Sequence, residues 1–236
     1  MKKLLFISVL FCITSTLYSQ SVDEVLKKVG VEYSSAKPLQ FNTKYNLYKN
    51  KTQKTAFESY VGQFKKNEKN EIYQKIDQTE FIWNKNICLK VIHPDKIINI
   101  SVSQPVELNN FDIKALKEWC DVKSFVDKKA YWELTLTTKA FSTLPYSKIV
   151  IHIGKNYFIQ KQLFYYNTAI DYSSDYKKQS LDYPVLEILY TNIKREKVPK
   201  SFFNIYKYIQ EKNKILNTTK AYNSYAIEDH REITFK

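Results

Sequence analysis

From residue 45 onward the chain is a succession of short runs in which apolar and polar residues alternate. A period of two is typical of β-strands with one buried face, because successive side chains point to opposite sides of a sheet. Short polar turns such as 84–86 and 154–156 separate the runs, which favours an antiparallel meander over β-α-β units. The predicted strands comprise residues 56–64, 71–76, 79–83, 87–93, 96–103, 124–126, 131–138, 148–153, 157–166 and 183–192, with another around Tyr45 and Leu47.

Two short segments have helical spacing instead. Ser21 can cap a helix over residues 21–29 that has acidic residues in its first turn, and Gly30 is expected to end it. A second helix is predicted over 112–120, with Trp119 in the core.

The C-terminal part of the chain is more ambiguous. Residues 167–182 are polar and predict an exposed loop, and the aromatic run 202–209 fits a strand or a helix equally well. The stretch from residue 211 is expected to form one edge strand with a loose tail.

These elements predict a mainly β (α+β) domain, in which the antiparallel meander forms an unclosed barrel with two or three short covering helices. Each strand has one strongly apolar face, and two short helices are too narrow to cover them all. The sequence therefore predicts an apolar hollow that holds a ligand, although for each of its side chains taken singly a place in a packed core is the more common role. The candidate ligand-binding residues are Tyr60, Phe64, Phe81, Trp83, Leu89, Ile100, Trp132, Leu134, Ile151, Ile188 and Tyr190.

The N-terminus has the three-part layout of a secretory signal peptide. Lys2 and Lys3 precede an apolar run over residues 4–17, which is too short to span a bilayer, and Ser19 offers a cleavage site before Gln20. We therefore expect a signal peptide over 1–19 and a periplasmic or secreted mature chain. Residues 20–236 are expected to form a single domain, since no linker divides them.

Charge and cysteine content refine this picture. Without Lys2 and Lys3 the chain has 35 basic and 24 acidic residues, a net charge of +11, which favours anionic surfaces such as a membrane. Only Arg195 and Arg231 are arginines, which argues against nucleic acid as a partner. Cys88 and Cys120 form a disulfide or remain as two buried thiols, and the sequence leaves both open.

No recognisable catalytic motif is present. The glycines Gly30, Gly62 and Gly154 are isolated, which excludes a phosphate-binding loop, and there is no Gly-x-Ser-x-Gly elbow. The three histidines are far apart and lack zinc-site spacing, and no cofactor or metal is indicated. The sequence therefore favours a non-enzymatic protein, although a pair of carboxylates brought together by the fold stays open.

The order of elements resembles the LolA/LolB-type fold of periplasmic lipoprotein carriers and receptors. The segments that carry this resemblance are the hairpin over 149–159, the strand 186–192 and the Val-Pro and aromatic residues of 197–203. The resemblance implies an unclosed barrel whose hollow takes acyl chains, and hence a lipid-like or acylated ligand. The chain departs from this family in one respect. The carriers have an arginine inside the hollow, whereas this chain has no arginine before Arg195. The alternative is an envelope adhesion or assembly module that binds a protein partner.

Overall fold

The structure is a computed structural model that describes residues 21–103, 113–173, 175, 177–212 and 215–231, without the side chains of 113–115. The predicted signal peptide over 1–19 lies outside the described residues. Two helices, α1 (Val22–Ser34) and α2 (Ile113–Trp119), accompany the strands. The strands are β1 (Leu39–Tyr48), β2 (Glu58–Lys66), β3 (Ile72–Ile76), β4 (Thr79–Trp83), β5 (Ile87–Ile92), β6 (Ile97–Val102), β7 (Cys120–Asp127), β8 (Tyr131–Thr138), β9 (Tyr146–Gly154), β10 (Ile159–Tyr166), β11 (Ile170–Asp171), β12 (Leu181–Asp182), β13 (Val185–Lys194), β14 (Ile209–Lys212), β15 (Ile215–Thr218) and β16 (Ala226–Asp229).

Twelve of the strands form one sheet in the order β16-β6-β5-β4-β3-β2-β1-β13-β10-β9-β8-β7. Every pair is antiparallel except β16 with β6, which are parallel. The two edge strands, β16 and β7, do not pair with each other, so within the described residues the sheet stays open. This architecture confirms the predicted mainly β, unclosed fold. The segment 167–182, predicted as a loop, also contains the short β11–β12 ladder.

Helix α1 begins as the sequence predicts and ends later. The Ser21 side chain accepts a hydrogen bond from the Glu24 backbone, and the Glu24 carboxylate accepts one from the Ser21 backbone. The predicted stop at Gly30 is wrong, because the helix continues to Ser34 and buries Tyr33. A glycine inside a helix costs about 1 kcal/mol, whereas burying one large side chain contributes about 1.5–3 kcal/mol. Packing therefore carries the helix through Gly30.

Helix α2 differs from the prediction at its end. Trp119 is its last residue and is 43% exposed, so the predicted core role of this side chain is wrong. Strand β7 begins at the next residue, Cys120, and the Trp119 carbonyl oxygen accepts a hydrogen bond from the Lys139 backbone. The chain turns there at the end of the sheet, where half of the indole faces solvent.

The sheet has a separate core on each face. We call the face under α1 the inner face and the opposite one the outer face. The inner core lies mainly on β1, β2, β8 and β9, against Val25, Val29 and Tyr33 of α1. The outer core lies on β3–β6 and is covered by residues 198–227. Its buried side chains are Tyr73, Ile82, Leu89, Val91, Ile98, Ile100, Val198, Phe203, Ile205, Tyr208 and Ile209.

The C-terminal segment makes the outer core possible. The run 202–209 lies in two short 3₁₀ turns, Lys200–Phe203 and Ile205–Lys207, where the Asn204 side chain caps the second. The predicted edge strand is present as β16, but the segment from residue 211 is not a loose tail as far as it is described. Tyr222 and Tyr225 pack on the outer core, because β16 pairs with β6 and brings them over it.

Candidate functional site: the inner face

Direct strand pairing arranges inner-face side chains in a row that crosses six strands, from β2 to β8. The row changes from exposed to sealed along its length: Tyr60 is 41% exposed, whereas Ile151 and Leu134 have no exposed surface. The side chains between them are half-buried or, for Gln162, buried. The inner face therefore has a sealed half and an open half. In order, the row is Tyr60, Tyr45, Ile188, Gln162, Ile151 and Leu134.

The sealed half lies under α1, and three side chains fix the end of that helix. The Tyr33 hydroxyl accepts a hydrogen bond from the Ile159 backbone at 3.2 Å, and its ring packs edge-on against Phe158. Arg195 pairs with the Glu32 carboxylate at 2.6 Å and also donates to the Pro38 carbonyl oxygen at 3.3 Å. These contacts hold α1 on the sheet as a fixed cover.

Lys66 is the third of these side chains and has no exposed surface. Its ammonium donates to the carbonyl oxygens of Tyr33 and Ser35, both at 2.6 Å. A cation at this position satisfies carbonyl groups that the helix leaves unpaired and complements the helix dipole. Burial, with a smaller effect from the charge of Arg195, lowers the pKa of Lys66 from 10.5 to about 8.

The open half of the inner face is a wall of half-buried apolar side chains. The rings of Phe81 and Trp83 stack at a centroid distance of 5.3 Å on β4. Lys90 is paired with Phe81 on the neighbouring strand, and its ammonium lies 5.8 Å from the Phe81 ring centroid. The apolar residues of this wall are Tyr45, Tyr60, Ile76, Phe81, Trp83, Ile92, Ile97, Phe164, Leu186 and Ile188.

Gly62 allows a close approach between β1, β2 and β3 within the wall. A Cβ atom at this position would lie 2.4 Å from Thr43 Oγ1 and 2.7 Å from the Lys75 carbonyl oxygen, with the Tyr45 ring at 3.4 Å. Contacts this short are not tolerated, so only glycine allows these groups to approach.

A hydrogen-bonded polar pair lies within the apolar wall. The Tyr190 hydroxyl donates a hydrogen bond of 2.5 Å to Gln162 Oε1, and the Gln162 side chain is buried. Burial raises the pKa of Tyr190 well above its ordinary value, so the hydroxyl keeps its proton. The pair therefore offers hydrogen-bonding groups without introducing a charge.

The structure brings nine of the eleven predicted residues to the inner face. Leu89 and Ile100 are the exceptions, because Leu89 pairs with Ile82 on one side and with Ile100 on the other, which places all three on the outer face. Both are completely buried under the C-terminal segment, which corrects their predicted place in the hollow. Sequence reasoning missed Tyr45 and the β3 residue Ile76, although both fall in predicted strands with the right phase.

Cys88 and Cys120 are free thiols in the structure, so no disulfide joins them. Cys120 is buried, as the second alternative expects, and Cys88 is half-buried. Burial raises the pKa of both thiols, and the charge of Asp121 raises that of Cys120 further. Neither thiol is an activated nucleophile.

A buried cluster of titratable groups around Glu80 lies on the outer face, away from this wall. Glu80 accepts hydrogen bonds from the hydroxyls of Tyr208 at 2.7 Å and Tyr73 at 2.9 Å, and His93 Nε2 lies 2.8 Å from its other oxygen. Burial alone would raise the pKa of Glu80, but these hydrogen bonds outweigh it and lower the pKa. The carboxylate is closed off by the C-terminal segment and serves to hold that segment.

Two further searches of the described residues are negative. They contain no group of three His, Cys, Asp or Glu side chains that could hold a metal ion. Among the same residues, neither helix has the length and apolar character needed to cross a bilayer.

Comparison with known proteins gives structural matches alone. No family model and no curated protein matches the chain. An uncharacterised conserved protein from Thermus thermophilus is 11% identical with a TM-score of 0.46, and the match covers 77% of this chain and 91% of that one. A LolA superfamily protein from Nitrosomonas europaea is 13% identical with a TM-score of 0.34, covering 79% and 98%. A putative outer membrane lipoprotein-sorting domain from Vibrio parahaemolyticus is 12% identical with a TM-score of 0.33, covering 77% and 95%.

A LolA superfamily protein, the kind of structure that the sequence resembles, is thus among the matches. Matches at such identities and TM-scores say nothing about ligand or activity.

Proposed function

We propose that the protein is a non-enzymatic, exported binding protein that holds a lipid-like or acylated ligand against the open half of its inner face. The observation that carries this proposal is the gradient along the inner-face row, from a sealed core to half-buried apolar side chains. A water-soluble protein normally buries such a continuous wall, and an apolar concave surface with few polar groups is the usual form of a ligand site.

The dimensions of the wall suit an acyl chain. From Trp83 on β4 to Ile188 on β13 the wall crosses four strand spacings, or about 19 Å, since neighbouring strands lie about 4.8 Å apart. An extended acyl chain lies along such a path and replaces water on the half-buried rings, which is favourable by about 25 cal/mol per Å² of apolar surface.

Lys90 is placed to contact the polar end of the ligand. It lies on the inner face beside Phe81, near the β6 edge of the wall. An ammonium at the edge of an apolar site favours a carboxylate or phosphate headgroup.

A titration with a fluorescent fatty acid tests the site, using neighbouring residues on opposite faces of β2. Tyr60→Asp places a charge on the apolar wall and is expected to weaken binding at least about tenfold, because the ligand then desolvates a carboxylate. Val61→Asp is the control, since Val61 is exposed on the outer face, and it is expected to bind as the wild type does. Equal binding by both variants, with circular dichroism showing intact folds, contradicts the proposal.

The headgroup is tested by comparing a fatty acid with the fatty alcohol of the same length. Lys90→Met is expected to lower the affinity for the acid to that for the alcohol, while the alcohol binds unchanged. Lys75→Met, a half-buried lysine on the outer face, is the control and leaves both affinities unchanged. If Lys90→Met weakens both ligands equally, the ammonium has no role in headgroup recognition.

We extend the proposal to an anionic membrane as the surface where the ligand is exchanged. Phe141 is 98% exposed in the turn after β8, two residues beyond Lys139. Lys139 joins this turn to the end of α2, because its backbone donates to the Trp119 carbonyl oxygen at 2.9 Å and its ammonium to the Lys117 carbonyl oxygen at 3.1 Å. Exposed aromatic rings beside lysines are suited to the interface of an anionic bilayer.

Sedimentation with vesicles tests this contact. Phe141→Ser is expected to weaken binding to phosphatidylglycerol vesicles, while Tyr206→Ser, which removes an exposed ring elsewhere, leaves it unchanged. Wild-type protein that binds neither these vesicles nor phosphatidylcholine vesicles contradicts the membrane contact. Recovery of one specific protein by crosslinking in cells, with no lipid in the purified protein, would instead support an assembly module.

A further inference from the structure

A separate groove of about 530 Å³ lies at one end of the sheet, where the turn after β1 meets the ends of β10 and β13. A second groove of about 190 Å³ adjoins it and shares Asn50, Lys51 and Tyr165 in its lining. The two therefore form one elongated depression, which we call the Tyr–Lys groove. None of its lining residues belongs to the inner-face row.

The wall of the Tyr–Lys groove is held by hydrogen bonds to Asn50. The Asn50 amide donates to Asp182 Oδ2 at 2.9 Å, which joins the turn after β1 to β12. Its carbonyl oxygen accepts from the backbone of Thr52 and of Gln53, both at 3.1 Å. The groove is thus built before any ligand arrives, which lowers the entropy cost of binding.

Three tyrosines of the larger depression give it its apolar surface. Tyr165 and Tyr166 are half-buried, and Tyr183 is 59% exposed. The Lys148 ammonium lies 3.8 Å from the Tyr165 ring centroid, which holds that ring in place. Each ring presents a flat face together with a hydroxyl group, a combination of stacking surface and hydrogen-bonding tip.

The charge of the groove is positive where it is open. Lys51 and Lys54 are exposed in its lining, and neither forms an ion pair within the part of the chain that the structure describes. The lining also contains the carboxylates of Asp182 and Glu187, but two adjoining lysines outweigh them: Lys161 pairs with Glu187 at 2.5 Å, and Lys148 lies against the Tyr165 ring. The four lysines leave a net positive charge, which favours an anionic ligand.

We propose that the Tyr–Lys groove binds an acidic oligosaccharide. The rings of a sugar chain offer apolar C–H faces that stack on tyrosine rings, and their hydroxyl groups suit amide and phenol partners. Acidic groups on such a chain pair with the two ammonium groups. A polymer also suits the elongated shape, because successive sugars occupy the larger and the smaller groove in turn.

Isothermal titration calorimetry of the mature protein with hexagalacturonate tests the proposal, with neutral cellohexaose and hexaglutamate as comparison ligands. Tyr183→Ala is expected to weaken hexagalacturonate binding about tenfold, the effect of losing one stacked aromatic contact. Lys51→Ala is expected to weaken it severalfold and to reduce its dependence on salt. The wild type is expected to bind cellohexaose and hexaglutamate more weakly than hexagalacturonate.

Two variants outside the groove are matched controls. Tyr206→Ala removes an exposed ring and Lys85→Ala an exposed ammonium, and both are expected to bind hexagalacturonate as the wild type does. No measurable binding at millimolar concentration overturns the proposal. So does binding of hexaglutamate with equal affinity and no effect of Tyr183→Ala, because it would show attraction by diffuse positive charge alone. The result is independent of fatty-acid binding at the inner face.

Discussion

Replacing Lys66 with methionine tests how α1 is held on the inner face. Lys66 has no exposed surface, and its ammonium lies between two carbonyl oxygens at the end of the helix. The pKa of this group is about 8 in the folded protein and 10.5 in the unfolded chain. Between these two pH values the unfolded chain binds a proton that the folded protein does not, so the free energy of unfolding rises with pH.

The magnitude follows from the two pKa values. One proton of difference gives a slope of at most about 1.4 kcal/mol per pH unit, and the whole interval contributes about 3 kcal/mol. This contribution is absent below pH 8, where both states are protonated, and complete above pH 10.5. Because methionine does not titrate, the wild type is expected to gain stability relative to Lys66→Met as the pH rises through this interval.

Urea denaturation at several pH values from 8 to 10 measures the difference between the two proteins. Buried tyrosines such as Tyr33 titrate in both proteins, so their effect cancels in that difference. Lys85→Met, which removes an exposed lysine, is the control and is expected to run parallel to the wild type. A difference between wild type and Lys66→Met that stays constant over this range would refute the account of Lys66 as a buried, desolvated cation.

Two other substitutions test the outer core and the close approach at Gly62. Glu80→Gln is expected to lower the free energy of unfolding by about 2–4 kcal/mol near pH 7, because it removes a charged acceptor from Tyr208 and His93. Since the pKa of Glu80 is lowered by folding, this loss should shrink as the pH falls below its ordinary value of 4.5, and a pH-independent loss in urea denaturation would contradict it. Gly62→Ala is expected to destabilise by about 1–3 kcal/mol in thermal denaturation, because the new methyl group meets backbone and Thr43, whereas Gly30→Ala in open helix surface should stabilise by up to about 1 kcal/mol. Equal changes in stability for Gly62→Ala and Gly30→Ala would contradict the close packing around Gly62.

Alternation of apolar and polar residues located the strands because most of them have one buried face. It failed to assign Leu89 and Ile100 to the correct face of the sheet. The reason is that the neighbouring strand β4 is apolar on both faces, with Phe81 and Trp83 on one and Ile82 on the other. With two apolar faces the period of two remains visible, but it no longer tells which face is which. Only the pairing register resolves that choice.

Long-range packing accounts for the other differences. Lys66 and Asn67 look like part of a solvated turn in the sequence, yet both are buried, because α1 folds back over the end of β2 and needs a cation there. The outer core likewise depends on residues 198–227 returning to β3–β6, a contact between parts of the chain that are far apart in sequence. Neither arrangement leaves a local pattern, whereas the helix cap at Ser21 does and was correctly predicted.

Quenching of tryptophan fluorescence by a brominated fatty acid tests the central claim most directly, because bromine quenches only on contact. Trp83 lies on the open half of the inner face, whereas Trp119 lies at the end of the sheet. If the ligand occupies the inner face, dibromostearate quenches the wild type and Trp119→Phe strongly, and Trp83→Phe much less. Quenching that persists unchanged in Trp83→Phe would place the fatty acid elsewhere and contradict the account.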